Sequence, residues 1–231
     1  KGDPNGRFFV GTPRVSDGSL LFLQHLMHKM EPKKSRIGIV FNASPLFTGD
    51  AEQGESEIRK WIIENDLLET IVMLPDKLFF NTGITTYIWI LDNAKNKNRK
   101  GKVQLIDGKD FFGFIKVKLG EKNKAILEDH RLKILGIYQD FIENKYSKIY
   151  PNDYFKYTKV TIDQYLKDEH ENIIKDKKGN PKIDKKKRGY EKVPANKEIE
   201  DYLLKEVAPH ISKYFYNKDL NKIGYEISLT K

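Results

Sequence analysis

Two histidines, His25 and His28, stand three residues apart in a segment with helical periodicity. That spacing puts both imidazoles on one helix face, within reach of a shared metal ion. A metal site needs a third ligand and none is evident nearby, so the pair reads as structural and no metal is expected. Ser44 and Ser56 lack an arranged histidine to activate them as nucleophiles. Asp76 beside Lys77 reads as a turn. The run Lys185, Lys186, Lys187 and Arg188 reads as solvated surface, with phosphate contact as the sharper alternative. No glycine-rich phosphate or dinucleotide loop occurs.

The composition sets the frame for these residues. A chain of 231 residues with 39% hydrophobic and 12% aromatic side chains can build one large domain, or a domain with a substantial appendage, around a real core. No apolar run approaches the roughly 20 residues that span a bilayer, so no membrane partner is expected. Residues 1–6 are polar, unlike a signal peptide, and the chain opens on lysine, unlike a native start. The absence of cysteine excludes disulfides, thiolate nucleophiles and thiolate metal sites, and it fits a cytoplasmic location. The formal charge of +9 is compatible with a polyanionic partner such as DNA.

The elements that would position any site follow from periodicity and turn signals. Residues 1–16, rich in glycine and proline, predict an opening loop. Asp17 or Ser19 can cap a helix running to about Met30, with Leu20, Leu23, Met27 and Met30 as its apolar stripe. Leu21, Phe22 and Leu26 widen the stripe, predicting burial over more than half the circumference. Residues 36–41 read as a central parallel strand, and 42–54 as a loop. Residues 55–65 read as a helix with Ile58, Trp61 and Ile62 inward. Strands follow at 68–74, 84–91 and 103–106, with a basic, Asn-rich turn at 95–102. This order is the ending of an α/β sheet, since residues before 17 leave no room for earlier βα units. Beyond about residue 114 a weaker helical pattern covers 123–145, a turn falls at 177–181, and a surface helix at 195–207. No internal repeat is evident.

Longer strings carry a family resemblance. Residues 14–25 (RVSDGSLLFLQH), 39–51 (IVFNASPLFTGDA), 54–66 (GESEIRKWIIEND), 74–84 (LPDKLFFNTGI) and 101–107 (GKVQLID) closely resemble, in order, modification subunits of type I restriction–modification systems. The resemblance weakens after residue 115, although 146–149, 159–161 and 223–227 are still similar to the family's tail.

The resemblance implies transfer of a methyl group from S-adenosylmethionine to adenine N6 in double-stranded DNA, on a base drawn out of the duplex. It implies three protein partners: a specificity subunit, a restriction subunit and a second modification subunit. The implied fold is α/β: the C-terminal half of a Rossmann-like methyltransferase sheet at 1–115, followed at 116–231 by a mixed, mainly α-helical extension with a candidate hairpin. The family's Asn-Pro-Pro-Phe motif and glycine-containing cofactor turn do not occur here; the only Asn-Pro step, Asn180-Pro181, lies in a non-matching context. The fragment alone is therefore expected neither to bind cofactor tightly nor to methylate DNA. The block at 79–83 corresponds to one that sets an aromatic ring against the flipped base, which makes Phe80, then Phe79, with Asn81 beside them, the target-base candidates. Against this stands the expectation that at least one of the two rings packs into the core. Phe22 falls in the block that closes over the cofactor's adenine, although a core role is the better expectation. The competing reading is a non-catalytic DNA-binding or subunit-interaction module.

Overall fold

The computed structural model describes residues 6–211 and 214–229; the first five residues of the predicted opening loop lie outside the described residues. The chain divides into two compact units, Lys1–Asp153 with Glu226–Lys231, and Tyr154–Tyr225. Among the described residues no helix is long and apolar enough to cross a membrane.

The first unit begins with helix α1 (Ser19–His28), where Asp17 Oδ1 accepts from the Ser19 backbone N–H at 3.0 Å and satisfies one orphan donor of the first turn. Strand β1 (Arg36–Phe41), the short helix α2 (Ser44–Phe47), helix α3 (Gly54–Glu64) and strand β2 (Leu68–Met73) follow. Next come β3 (Tyr87–Asp92), β4 (Lys102–Asp107), the hairpin β5 (Gly113–Leu119) and β6 (Lys122–Ala125), helix α4 (Glu128–Asp140) and β7 (Ser147–Pro151). Five strands form one sheet in the order β1-β3-β2-β4-β7. Strands β2 and β4 are parallel, whereas β3 runs antiparallel between β1 and β2, and β7 antiparallel to β4.

The α/β class and the placement of these elements agree with the sequence reading. Two details differ. β1 was expected at the centre of a parallel sheet, but it is an edge strand with an antiparallel neighbour. An apolar run reports burial and not partner direction, so β3, arriving later in sequence, could slot between β1 and β2. Helix α1 was expected to be buried over most of its surface. Leu20, Leu23 and Gln24 are buried, yet Phe22 is 71% exposed and Leu26 is also exposed, because nothing among the described residues covers that side.

The core lies on the helix-covered faces, where Ile58, Ile62 and Ile63 of α3, Leu68 and Ile71 of β2, and Trp89 of β3 are fully buried. Phe41 meets the Trp89 ring edge-on at 5.6 Å. On α4, Ile134, Ile137 and Tyr138 pack against Val72, Leu74 and Ile106. A buried polar network crosses the sheet. Glu69, 1% exposed, accepts from the Tyr138 hydroxyl at 2.8 Å and faces Arg99 Nε at 3.3 Å and Arg36 Nη2 at 3.4 Å. The Arg99 guanidinium lies between the rings of Tyr138 (4.5 Å) and Phe141 (4.3 Å) and donates to Gln104 at 3.1 Å. Lys95, also buried, donates to Asp66 at 2.6 Å. The segment read as a basic, Asn-rich turn thus supplies two interior cations.

The second unit contains β8 (Lys156–Asp163), β9 (Gly189–Pro194), helix α5 (Ile199–Glu206), β10 (Phe215–Tyr216) and β11 (Lys222–Tyr225). β8 pairs antiparallel with β9 on one edge and with β10 and β11 on the other. Val160, Ile162, Val193, Leu203 and Val207 form its core. Residues 116–231 therefore hold more strand than the mainly helical extension expected, because charged residues such as Lys156, Lys159, Glu191 and Lys192 interrupt the apolar pattern of the strands. Between β8 and β9 the chain makes three turns spaced eight residues apart; the middle one is the turn expected at 177–181, with Lys175 bridged antiparallel to Pro181, and the sequence reading missed the other two. Asp168, Asp176 and Asp184 each accept from the backbone N–H two residues on, at 2.9, 2.8 and 3.0 Å.

The buried network yields a stability prediction. Replacing Arg99 by methionine strands a buried carboxylate and should cost about 3–5 kcal/mol in urea unfolding of the chain. Lysine, which lacks the planar fork, should recover only part of it. A loss under about 1 kcal/mol for the methionine variant would show that the network is solvated.

Candidate functional site

β1, β2 and β4 run in one direction, so Phe41, Met73 and Asp107 end at one rim. Tyr87 at the start of β3 stands in register with Phe41 and Met73, and Met73 with Asp107. Ligands of open α/β sheets bind beyond the carboxyl ends of such strands. Burial, and then the nearby Asp107 charge, push the Tyr87 hydroxyl up from its usual range. A cavity of about 210 Å³ lies here, lined by Leu46, Phe47, Met73, Tyr87 and the segment 226–229. The Ile227 N–H holds that segment by donating to the Leu46 carbonyl at 2.9 Å.

The loop leaving β2 carries the predicted base contacts. Its base is closed by the Leu74 N–H donating to Thr86 O at 2.8 Å. Phe79 and Thr82 then form an isolated antiparallel bridge, so Phe80 and Asn81 occupy the two corners of a tight turn. Phe80 is 56% and Phe79 41% exposed, and Asn81 is exposed as well. The expectation that one ring packs into the core is overturned: a two-residue corner projects both beyond the sheet.

The turn is held from the other side by the β5–β6 hairpin. Glu121 N–H donates to Phe80 O at 2.9 Å, and the Asn123 and Lys124 N–H groups both reach Lys77 O, at 3.2 and 3.3 Å. Lys122 Nζ lies 5.2 Å from the centre of the Phe80 ring. Lys124 ion-pairs with Asp76, holding that carboxyl below the usual range, and sits 3.9 Å from the Phe112 ring. Gly120 at the hairpin tip has φ +63°, and an added Cβ would stand 2.4 Å from Phe80 O. The sequence reading missed this hairpin; the available signal was Gly120 followed by Glu121 between lysine-rich flanks.

The remaining candidates sit elsewhere. Phe22 lines a shallow cavity of about 290 Å³ with Arg7, Phe8, Gly18, Leu21 and His25. Among the described residues no group of three His, Cys, Asp or Glu side chains could hold a metal ion. The Ser44 hydroxyl donates to Asp17 at 2.7 Å and accepts from Arg14 at 3.0 Å, so it stitches α1's approach to the β1–α2 loop. Arg188 forms a two-pronged pair with Asp163 at 2.6 and 2.8 Å, whereas Lys185, Lys186 and Lys187 are exposed.

The family model of N-6 DNA methylases matches residues 3–186. The chain belongs to the N-6 DNA methylase family. This N-6 DNA methylase chain is 37% identical over 110 residues to the type I restriction enzyme HindI methylase subunit of Haemophilus influenzae, covering 48% of the chain and 24% of that subunit. It is 30% identical over 132 residues to the MjaIX methylase subunit of Methanocaldococcus jannaschii, covering 57% of the chain and 22% of the subunit. The chain thus spans about a quarter of the length of these curated relatives. Its structure is similar to the type I restriction-modification methyltransferase subunit of Streptococcus thermophilus. The TM-score is 0.57 with 27% identity, over 66% of this chain and 31% of that one.

Hydrogen bonds from Ser19 and Ser44 hold the Asp17 carboxyl at about 2, below its usual 3.8. Its contribution is present above the unfolded value and is lost as pH falls through the folded one. Wild-type stability should therefore drop more steeply between about pH 4 and pH 2 than that of Asp17→Asn, as read by thermal unfolding at each pH. Parallel pH curves would remove Asp17 from the acid response.

Proposed function

We propose that this chain is part of a site-specific DNA methyltransferase of a type I restriction–modification complex, which methylates adenine N6 in double-stranded DNA. The carrying observation is Phe80: an exposed ring on a braced turn beyond the carboxyl ends of an α/β sheet, in a chain of the N-6 DNA methylase family. In this reading the ring stacks on the extrahelical adenine, Phe79 flanks it, and Asn81 offers an amide to the base edge. Stacking on an aromatic ring is worth roughly 1–3 kcal/mol per base.

The transferred methyl group comes from the sulfonium of S-adenosylmethionine. The cavity beside Phe22 supplies one aromatic wall, and its described lining contains no carboxylate for ribose hydroxyls. These residues alone do not make a cofactor site, so no transfer step is assigned to them. Residues 1–115 would then serve as the second half of the methyltransferase domain and 116–231 as its extension, with transfer chemistry on residues outside this sequence. The outer edge of β1, which pairs only with β3 among the described residues, supports this, as does the open sheet face at Gly38 and Val40. Another strand of the same protein would cover that edge. The similarity to type I methylase subunits supports a specificity subunit, a restriction subunit and a second modification subunit as partners. A purely non-catalytic DNA-binding or subunit-contact module is the second reading, favoured by the same open edge.

The test uses radiolabelled S-adenosylmethionine and unmethylated plasmid DNA, with the protein in its full-length assembly and as the 231-residue chain alone. The assembly should label adenine N6 and the chain alone should not. Phe80→Ala should lower kcat/KM by roughly 5–150-fold, the rate equivalent of one lost stack, and Phe79→Ala by less. Label on cytosine, or transfer by the isolated chain, would overturn the reading.

A further inference from the structure

The β5–β6 hairpin does more than brace the turn. Between Gly113 and Ala125 it carries four lysines against one glutamate, on strands with no fully buried residue. Two of the lysines are committed to the turn: Lys122 lies over the Phe80 ring, and Lys124 pairs with Asp76. The other two, Lys116 and Lys118, are exposed and form no ion pair among the described residues. Like charges concentrated on a two-stranded ribbon repel each other, and a hairpin of this size gains little from its own packing. Such a ribbon is favoured when a polyanion lies along it.

We propose that Lys116 and Lys118 grip phosphates of the DNA strand whose base is drawn out beside Phe80. This rests on the adenine-methyltransferase reading above. Three observations converge on it. The hairpin is backbone-bonded to the turn through Glu121 N–H and Phe80 O at 2.9 Å, so a ligand held by one is placed against the other. The β5–β6 pairing shifts register between Phe114–Lys124 and Leu119–Lys122, so Lys116 and Lys118 stand on an irregular stretch of β5 with no paired position opposite them. Phe114, also exposed, precedes the two lysines on the same strand and offers a ring for a neighbouring sugar or base. DNA supplies both the anion and the apolar faces this surface needs, whereas an acidic protein surface would leave Phe114 unmatched. Phosphate contacts fix register and carry no sequence information, which suits a chain whose own base contact is a single ring.

The test is the double variant Lys116→Ala/Lys118→Ala in the full-length assembly, with binding to a fluorescein-labelled mixed-sequence duplex followed by anisotropy across a salt series. Affinity should fall roughly tenfold at low salt, and the slope of log K against log salt should become shallower by about 2, one per lysine. KM for DNA should rise while kcat at saturating DNA stays near wild type. Lys116→Arg/Lys118→Arg should restore both, and the control Lys177→Ala/Lys178→Ala in the other unit should change neither. Unchanged affinity and slope, with adenine methylation intact, would overturn the phosphate grip and leave the methyltransferase reading standing. Equal losses from the control pair would overturn it too, since affinity would then follow total charge. Loss of a partner subunit at unchanged DNA affinity would assign the hairpin to a protein interface and overturn it likewise. Absence of adenine methylation by the wild type would remove the reading itself, and the grip with it.

Discussion

A carboxylate that is 1% exposed inside a β-sheet must be met by positive charge and hydrogen bonds, and Glu69 imposes that demand on the whole first unit. Every strand of the sheet contributes to the answer. Arg36 comes from β1, Asp92 from β3, Glu69 itself from β2, Gln104 from β4 and Ser147 from β7. Tyr138 brings in α4, and Arg99 comes from the turn before β4. Arg36 binds Asp92 at 2.6 Å as well as facing Glu69, so the antiparallel insertion of β3 is cross-linked where it meets β1. A buried network of this kind adds little net stability over an apolar core. Its effect is directional, because only one register of the five strands satisfies all of its members.

The network lies at the end of the sheet opposite the rim. Arg36 opens β1, Glu69 is the second residue of β2, and Asp92 closes β3. The carboxyl ends of β1, β2 and β4 are therefore free of structural duty, and the loops rising from them can carry polar and aromatic groups without disturbing the core. The 74–86 loop is closed at its base by Leu74 and Thr86 and capped by the hairpin tip, so its exposed residues are braced at both ends. Helix α4 joins the two ends. Its Ile134 and Ile137 pack beneath β2 and β4 while Tyr138 reaches Glu69, and the chain entering it comes directly from β6.

The sequence disclosed the elements of this unit better than their neighbours. The periodicities at 19–28, 54–64 and 68–73 depend on local patterns, and the helix and strand positions followed. Pairing of β1 with β3 depends on residues nearly fifty positions apart, which a local apolar run does not encode. Lys95 and Arg99 were hidden by the rule that charge belongs outside, a rule that fails where a carboxylate is already interior. The same rule in reverse hid Phe22, Phe79 and Phe80, apolar residues that stand exposed. In β5 Ile115, Val117 and Leu119 alternate with Lys116 and Lys118, a period-2 signal that was available and was passed over, whereas β6 (KNKA) carries none. The motif strings singled out residues 79–83, which the physical pattern left unassigned between two strands.

An exposed phenylalanine is ordinarily a poor binding group, because fixing a mobile ring costs rotamer entropy that stacking must exceed. Phe80 has most of that cost removed before any ligand arrives. Its carbonyl is held by Glu121, the bridge between Phe79 and Thr82 fixes its backbone, and the Lys122 ammonium lies over its ring at 5.2 Å. The ammonium also leaves positive charge at the edge of the stacking surface, where a base bound to an anionic backbone would bring negative charge. Gly120 permits this closeness, since any side chain there would collide with Phe80 O. The sequence thus spends a glycine at a left-handed position, two lysines and a tight turn on holding one ring in the open. A core role for the ring would have required none of them.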